Sequence, residues 1–330
     1  MVVPDPEDSS ESSGSKQSAA PTTGSVVADR FSSDEVFQRI IADADHEITS
    51  GARELFFSGL AAGFAITITF LLYASMSAMT ESRVVASILY PLGFIYIIIG
   101  GYQLYTENTL PPVALTLERL ASIPALLRHW LIVLAGNFVG GGIGAIVLVY
   151  GGVFDPAAAI EATEIAQKGV DTPAWDLFFK ATFAGLIVAG VVWINFATSD
   201  TISRLVVVYL AFLAIPLGNL FHVVVSFTEV IYLMFAGDLG LLPGMGGFVL
   251  PVLLGNTFGG VVLVTVVNYY QTSERRLDVE RFENIRRLSP RVATRFGCWP
   301  FVRAHRRYPR GHCPRSRVLS HSGSDRESAD

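Results

Sequence analysis

Six long apolar stretches restrict what this sequence of 330 residues can fold into. They cover residues 54–77, 84–105, 126–151, 175–197, 204–236 and 246–270. An α-helix needs about 20 apolar residues to cross the hydrocarbon core of a bilayer, so each stretch is long enough for one span. With 51% hydrophobic and only 16% charged residues, the chain has too little polar surface for a soluble globular protein. The sequence therefore predicts an all-α membrane protein with six transmembrane helices in a lipid bilayer.

Charge is distributed unevenly along the chain and predicts its orientation. The segment after Thr272 contains fourteen Arg and seven acidic residues, whereas the 152–173 loop contains four acidic residues and one Lys. Because Lys and Arg favour the cytoplasmic side, we expect both termini in the cytoplasm and the loop outside, in a multi-pass protein of the plasma membrane. The Arg-rich tail also suits contact with anionic lipid headgroups. The net charge of −5 gives no indication of nucleic-acid binding.

Composition divides the chain into three regions. Residues 1–31 are rich in Ser, Gly and acidic residues and are predicted to be a disordered tail rather than a signal peptide. Residues 32–272 form a transmembrane domain that begins with an amphipathic helix, predicted over 34–49 and lying flat on the cytoplasmic face. Residues 273–330 form a basic cytoplasmic tail. Its Cys298 and Cys313 have a spacing that fits no standard zinc finger, so no metal site and no cofactor are expected.

An internal repeat relates the two halves of the transmembrane domain. FFSGLAAG at 56–63 matches FFKATFAG at 178–185, AGNFVGG at 135–141 matches LGNTFGG at 254–260, and YTE at 105–107 matches FTE at 227–229. Three matches in the same order indicate a duplication. Since each copy has three spans, the second copy should lie inverted in the membrane, which gives a 3+3 inverted repeat. The glycines at four-residue spacing in these matches predict close helix packing.

The second and fifth spans contain residues that interrupt a helix. Pro111 and Pro112 follow the polar run 105–109 and are expected to break the second span. Pro216 and Gly218 are expected to break the fifth span. Unpaired backbone groups inside a membrane are tolerated only where protein or water satisfies them, so two such breaks predict a cavity between the repeats.

Four polar side chains near the breaks are candidates for a functional site. His222 is interpreted as the one histidine of six that lies in a span, and an imidazole beside a break can exchange a proton. Thr106 can orient it, although a Thr in a helix commonly bonds its own backbone. Glu107 and Glu229 must face protein or water because a charge in hydrocarbon is costly. A structural role and a transport role fit these two carboxylates equally well.

Motifs in five of the spans resemble those of the formate/nitrite transporter family. They are LYPLGFIYIIIGGYQLYTENT, HWLIVLAGNFVGG, FFKATFAGLIVAGVVW, NLFHVVVSFTEVIYLMF and LPVLLGNTFGG, and the likeness covers about residues 34–272. The resemblance implies an aquaporin-like fold assembled as a homopentamer, with a separate pore in each protomer. It also places the family's central His at His222 and its loop Thr at Thr106. Lys168 lies near the family's vestibule Lys, and Gly185 stands where the family usually has an Asn that faces the pore.

The resemblance also implies which side chains narrow the pore. Tyr105 and Phe94 would help to form the constriction on the cytoplasmic side, with Tyr90 below it and Ile215 near the opposite constriction. An unpaired charge in such an apolar constriction costs several kcal/mol, and desolvation favours the neutral form of a weak acid. A substrate anion would therefore take up a proton near the midplane, relayed by His222, before it crosses.

The resulting hypothesis is proton-coupled transport of a small monovalent weak-acid anion such as formate or nitrite. If Glu107 and Glu229 are ionised and face the pore, they repel anions and a neutral or cationic solute is favoured instead. A non-conducting membrane protein that binds partners through its tails stays open as an alternative. An enzyme is not expected, because the spans contain no Cys and no HExxH or GxSxG motif.

Overall fold

The structure, a computed structural model, describes residues 31–237 and 239–272. The tails predicted at the two ends, with Cys298 and Cys313, lie outside this range apart from Phe31. The described residues form helices and contain no β-strand, in agreement with the predicted all-α fold. The helices are α1 Ser33–Thr49, α2 Ala52–Met79, α3 Arg83–Ser87, α4 Leu92–Gly100, α5 Pro111–Leu117, α6 Ile123–Tyr150, α7 Pro156–Val170, α8 Ala174–Ala197, α9 Thr201–Leu217, α10 Val223–Ala236 and α11 Leu241–Gln271.

Apolar helices occupy the six predicted apolar stretches. Within the described ranges, five helices are long and apolar enough to cross a membrane: α2, the combined α3–α4 segment Arg83–Gly100, α6, α8 and α11. The predicted fifth span consists of two shorter apolar helices, α9 and α10. The predicted break at Pro216 and Gly218 is confirmed, since α9 ends at Leu217 and α10 begins at Val223.

The second span breaks earlier than the prolines predict. Helix α4 ends at Gly100, and Gly101 follows in the left-handed region with φ 69°. Pro111 and Pro112 instead occupy the first turn of α5. The assignment of the break to these prolines was wrong, because a proline in the first turn of a helix lacks only an N–H that has no helical partner.

The amphipathic helix α1 begins at the predicted capping box. Ser32 Oγ accepts a hydrogen bond from Glu35 N (3.3 Å), and Glu35 Oε2 accepts one from Ser32 N (2.8 Å). The helix packs against α5 and α8. Its buried stripe consists of Val36, Phe37, Ile40, Ile41 and Ala44. The apolar face of α1 therefore packs on the helical bundle. That α1 lies flat on the cytoplasmic face of a membrane stays a prediction.

Glycines let the helices of each half pack with their backbones in contact, as their spacing predicts. The first span packs along the third, α2 on α6, and the fourth packs along the sixth, α8 on α11. A Cβ added to Gly63 would overlap the backbone of Asn137, and a Cβ added to Gly185 would overlap the backbone of Asn256. These two contacts occupy corresponding places in the two halves.

A methyl group at Gly63 should therefore destabilise the protein. We expect Gly63→Ala to cost about 1–3 kcal/mol because α2 and α6 must separate. Gly190→Ala in α8 is the matched control, since nothing lies within 4 Å of the added Cβ. There the change should be neutral or stabilising by up to about 1 kcal/mol, as Ala is the better helix former. Thermal unfolding of both variants in detergent measures the difference, and equal melting temperatures would contradict the packing described.

Candidate functional site

Asn137 holds the break in the second span. Its side-chain Oδ1 accepts a hydrogen bond from Tyr105 N (2.9 Å), and its Nδ2 donates to Gly59 O (2.8 Å) and Gln103 O (2.9 Å). Asn137 itself is fully buried on α6. Backbone groups that leave a helix inside a membrane need partners, and this side chain is the partner of two of them, Tyr105 N and Gln103 O.

Asn256 holds the break in the fifth span in the same way. Its Oδ1 accepts from Val223 N (2.9 Å), and its Nδ2 donates to Ala181 O (2.8 Å) and Phe221 O (3.0 Å). The side chain is also fully buried. Each Asn thus ties the broken span to the first helix of its own half, as an inverted duplication predicts.

The equivalent hydrogen bonds correct one of the three sequence matches. Tyr105 N corresponds to Val223 N, because each donates to the Asn of its own half. The match of YTE at 105–107 with FTE at 227–229 is therefore wrong and reflects chance similarity of a short string. Glu107 lies directly at its break, whereas Glu229 lies seven residues beyond His222 inside α10.

His222 and Thr106 join the two breaks. Thr106 Oγ1 and His222 Nε2 share a hydrogen bond of 2.8 Å, and the two residues are 0% and 1% exposed. The imidazole meets the ring of Phe94 edge-on, with 5.0 Å between ring centroids, and Phe94 stacks on Phe212 at 3.9 Å. His222 Nδ1 is buried and has no hydrogen-bond partner in the described part of the chain. We call Phe94, Thr106, Phe212 and His222 the central barrier.

Two cavities approach the central barrier from opposite sides. The Lys168 cavity has a volume of about 90 Å³. Its lining includes Tyr90, Lys168, His222, Ser226 and Glu229. The Glu107 cavity has a volume of about 320 Å³. Its lining includes Glu47, Ile98, Gln103, Glu107 and Arg204.

Chain connectivity shows that the barrier lies between these cavities. Tyr90 lines the Lys168 cavity and Ile98 lines the Glu107 cavity, while the fully buried Phe94 lies between them. In the same way His222 lines the first cavity and Glu107 lines the second, with Thr106 between them. Four residues separate Tyr90 from Phe94, and four more separate Phe94 from Ile98. Four residues correspond to about one helical turn and about 6 Å of rise, so the closed part of the path is about two turns long.

Tyr90, Gly185 and Ile215 were expected along the passage. Tyr90 lines the Lys168 cavity, and its place below the cytoplasmic constriction stays a prediction. Gly185 faces the backbone of α11 rather than the passage, because close packing of α8 on α11 requires a residue without a side chain there. Ile215 is fully buried and, like Phe94, lines neither cavity, and its place near the opposite constriction stays a prediction.

Tyr105 is turned toward the helices behind the break. Its hydroxyl group shares a hydrogen bond of 2.8 Å with Thr257 Oγ1, and its ring packs on Trp130 at 5.7 Å. The Trp130 indole N–H in turn donates to Asn108 O (2.8 Å). Tyr105 thus supports the break rather than lining either cavity.

Sequence reasoning missed two polar residues. His129 is fully buried on α6, and neither of its ring nitrogens has a partner among the described residues. The interpretation of His222 as the one histidine in a span was therefore wrong. The sequence already carries the signal, because His129 lies within the apolar stretch 126–151. Ser226 follows His222 by one helical turn, and its Oγ is likewise buried without a partner in the described ranges.

The outer end of the Lys168 cavity carries charges of both signs, including the carboxyl group of Glu81. Lys168 also lines an adjoining outer cavity of about 620 Å³, together with Arg83, Glu161 and Glu164. Partial burial, with the positive charges of Arg83 and Lys180 nearby, lowers the pKa of Lys168. Burial and neighbouring cations both disfavour the charged form of an ammonium group.

Glu47 connects α1 to the Glu107 cavity. Its Oε1 accepts a hydrogen bond from Gln103 Nε2 (2.8 Å), and Asn108 Nδ2 donates to Gln103 Oε1 (2.8 Å). Burial raises the pKa of Glu47 to about 7, Asp43 adds to the rise, and the bond from Gln103 opposes it. The amphipathic helix is thus attached to the broken span through a carboxyl group that titrates near neutral pH.

This raised pKa predicts a pH-dependent stability. Between about pH 4.5 and about pH 7, Glu47 is protonated in the folded protein and ionised in the unfolded chain. Glu47 therefore lowers the free energy of unfolding by an increasing amount as the pH rises through this range. Glu47→Gln keeps the acceptor oxygen and should raise the melting temperature more at pH 8 than at pH 5. Glu54→Gln, at an exposed carboxyl group in the first turn of α2, is the control. It should change the melting temperature by the same amount at pH 8 and at pH 5. A Glu47→Gln shift that is independent of pH would contradict this account.

Comparisons with known proteins agree with this architecture. The family model described as formate/nitrite transporter matches residues 34–270. The inner membrane protein YfdC of Escherichia coli (strain K12) is 28% identical over 267 residues, which covers 76% of this chain and 86% of that protein. A solved FNT family ion channel superposes with a TM-score of 0.66 at 22% identity, covering 72% of this chain and 99% of its own. A solved pentameric formate channel with formate bound superposes with a TM-score of 0.56 at 20% identity, covering 66% of this chain and 96% of its own.

Proposed function

Because this chain belongs to the formate/nitrite transporter family, we propose that it moves a small monovalent weak-acid anion across a membrane together with a proton. Family membership makes it a multi-pass membrane transporter or channel and not an enzyme. Formate and nitrite are the proposed substrate class, following the family description and the relative with formate bound. The passage lies within each protomer, through the central barrier.

One observation carries this proposal. The two cavities end on opposite sides of a barrier built where the two broken spans meet. Helices break in a membrane only where the freed backbone groups are satisfied, and the two Asn residues satisfy them here. A bundle without a passage would have no need for two such breaks beside an imidazole.

Lys168 and Arg83 are the cations that would capture an anion on this side. The carboxyl groups of Glu81, Glu161 and Glu164 in the outer cavity oppose them. Lys168 contributes to both the small cavity and the outer cavity, and Arg83 lies in the latter. Converging positive charge raises the local concentration of anions and their rate of association. An anion would be drawn along this side as far as His222.

The central barrier then favours the neutral acid. Phe94 and Phe212 leave the crossing point apolar, and an unpaired charge there costs several kcal/mol. His222 offers a free Nδ1 on the Lys168 side, while Thr106 fixes the ring through Nε2. In this proposal the imidazole exchanges the proton that allows the acid to cross.

A second candidate function follows from the carboxyl groups. Glu107 and Glu229 each line one of the two cavities. If both are ionised during transport, they oppose an anion, and a neutral or cationic solute such as ammonium becomes the better substrate.

Assembly and orientation belong to the same proposal. The spans carry many exposed large apolar side chains, which need lipid or neighbouring protomers around them. The relative with formate bound is pentameric, which supports a homopentamer here. The charge bias supports a plasma-membrane protein with cytoplasmic termini.

A panel of solutes tests the substrate class. Purified protein in lipid vesicles is mixed in a stopped-flow instrument with formate, nitrite, acetate, ammonium or glycerol, and empty vesicles are subtracted. We expect formate and nitrite fluxes well above those of ammonium and glycerol. Ammonium flux without formate flux would overturn the proposal in favour of the second candidate.

A further inference from the structure

Three polar residues form one stripe on the half-helix α10. His222 immediately precedes the helix, and Ser226 and Glu229 follow it by four and seven residues. Residues at this spacing lie on one face of an α-helix. All three line the Lys168 cavity, and they are 1%, 1% and 7% exposed.

Two atoms of this stripe have unused hydrogen-bonding capacity. His222 Nδ1 and Ser226 Oγ are buried and have no partner in the part of the chain that the structure describes. Polar groups buried in proteins are normally satisfied by protein, water or ligand. A cavity of about 90 Å³ has room for a small anion or roughly three water molecules. The stripe therefore has both the space and the free atoms needed to bind a small polar solute.

The charged groups that face Glu229 come from several elements. Tyr73 on α2, Tyr90 before α4 and Lys168 on α7 line the same cavity as Glu229 and His222. Arg83 and Glu161 lie in the adjoining outer cavity, which Tyr73 and Lys168 share. Lys168 is the cation that shares the small cavity with Glu229, and it lies at the outer end.

From this arrangement we propose that Glu229 is a proton-donating residue of the Lys168 cavity and loads the transported anion with its proton. The inference rests on the proposed function. An ionised Glu229 and an anion in the same small cavity repel each other. A neutral Glu229 instead donates a hydrogen bond to the anion. Anion binding and protonation of Glu229 therefore favour each other, and this coupling is reciprocal.

The proton transfer balances within the cavity. The O–H bond of the Glu229 carboxylic acid breaks and an O–H bond to the formate oxygen forms, leaving the Glu229 carboxylate and neutral formic acid. Glu229 is thus the source of the proton, and His222 exchanges it at Nδ1 while the acid crosses the central barrier. The Glu229 carboxylate regains a proton from the aqueous solution on the Lys168 side. Ser226 Oγ lies between Glu229 and His222 along the stripe.

Glu229→Gln tests this role in proteoliposomes. Gln keeps the size and hydrogen-bonding groups of Glu but releases no proton. We expect the initial rate of formate uptake to fall at least tenfold at external pH 6 and to become independent of pH between 6 and 8. Glu229→Asp should recover the pH dependence, because it restores a carboxyl group. Glu54→Gln makes the same chemical change outside both cavities and should match the unmodified protein.

The outcomes separate this proposal from the proposed function. Formate uptake by Glu229→Gln with the pH profile of the unmodified protein would overturn the role of Glu229 alone. Faster formate uptake by Glu229→Gln, together with loss of ammonium uptake, would overturn it in favour of a cation site. Absence of anion flux in the unmodified protein would overturn the proposed function and the role of Glu229 together.

Discussion

Proteoliposomes that contain His222→Phe should take up formate at least about 100-fold more slowly than those with the unmodified protein. Phe keeps a planar ring against Phe94 but loses the proton-exchanging nitrogens and the bond to Thr106. An anion that is not neutralised at the barrier meets a penalty of several kcal/mol, and each 1.36 kcal/mol slows the crossing about tenfold.

Two variants control for simple disturbance of the bundle. His129→Phe replaces another fully buried histidine that lines neither of the two cavities, and it should transport normally. Thr106→Val keeps the shape of the side chain and removes one hydrogen bond, so we expect a loss of about tenfold or less. Unchanged uptake by His222→Phe would remove the imidazole from the mechanism.

Asn256→Ala should lower the thermal stability of the protein strongly. The substitution leaves Val223 N, Ala181 O and Phe221 O without their side-chain partner. A buried polar group without a partner costs about 1–3 kcal/mol, so Val223 N and Phe221 O at the break together cost several kcal/mol before water or rearrangement offsets them. Transport should be lost as well, because the break beside His222 is no longer held.

The repeat supplies an internal check on this effect. Asn137→Ala removes the corresponding three bonds in the other half and should be about equally destabilising. Asn268 is a half-buried Asn near the end of α11. Asn268→Ala removes its bond to Val264 O and an exposed bond from Gln271 Nε2, and it should cost about 1 kcal/mol or less. Melting temperatures in detergent measure all three. A melting temperature of Asn256→Ala equal to that of Asn268→Ala would contradict the role given to the asparagines.

The spans and the fifth-span break were predictable because their causes are local. An apolar run of sufficient length needs lipid or protein around it whatever the rest of the chain does. Pro216 and Gly218 disfavour helix continuation where they stand, and α9 ends at Leu217. The same local reasoning misplaced the second break, because Pro111 is equally compatible with the start of a helix, which is where α5 begins.

The contacts that build the site were not predictable in this way. Asn137 and Asn256 appeared in the sequence only as parts of a repeated string, and their bonds depend on which backbone groups lie opposite in the folded bundle. Lys168 and Glu229 line one cavity although 61 residues separate them in the chain. Tyr105 and Gly185 were expected at the passage, but neighbouring helices determine where these positions face.

The most direct measurement follows the pH inside proteoliposomes after an inward gradient of formate is imposed at equal internal and external pH. With empty vesicles subtracted, the account predicts rapid internal acidification, because formic acid crosses as a neutral molecule and then releases its proton. The rate should rise as the common pH is lowered from 8 to 6. Formate uptake with no change in internal pH, or no protein-dependent uptake at all, would contradict proton-coupled passage through the central barrier.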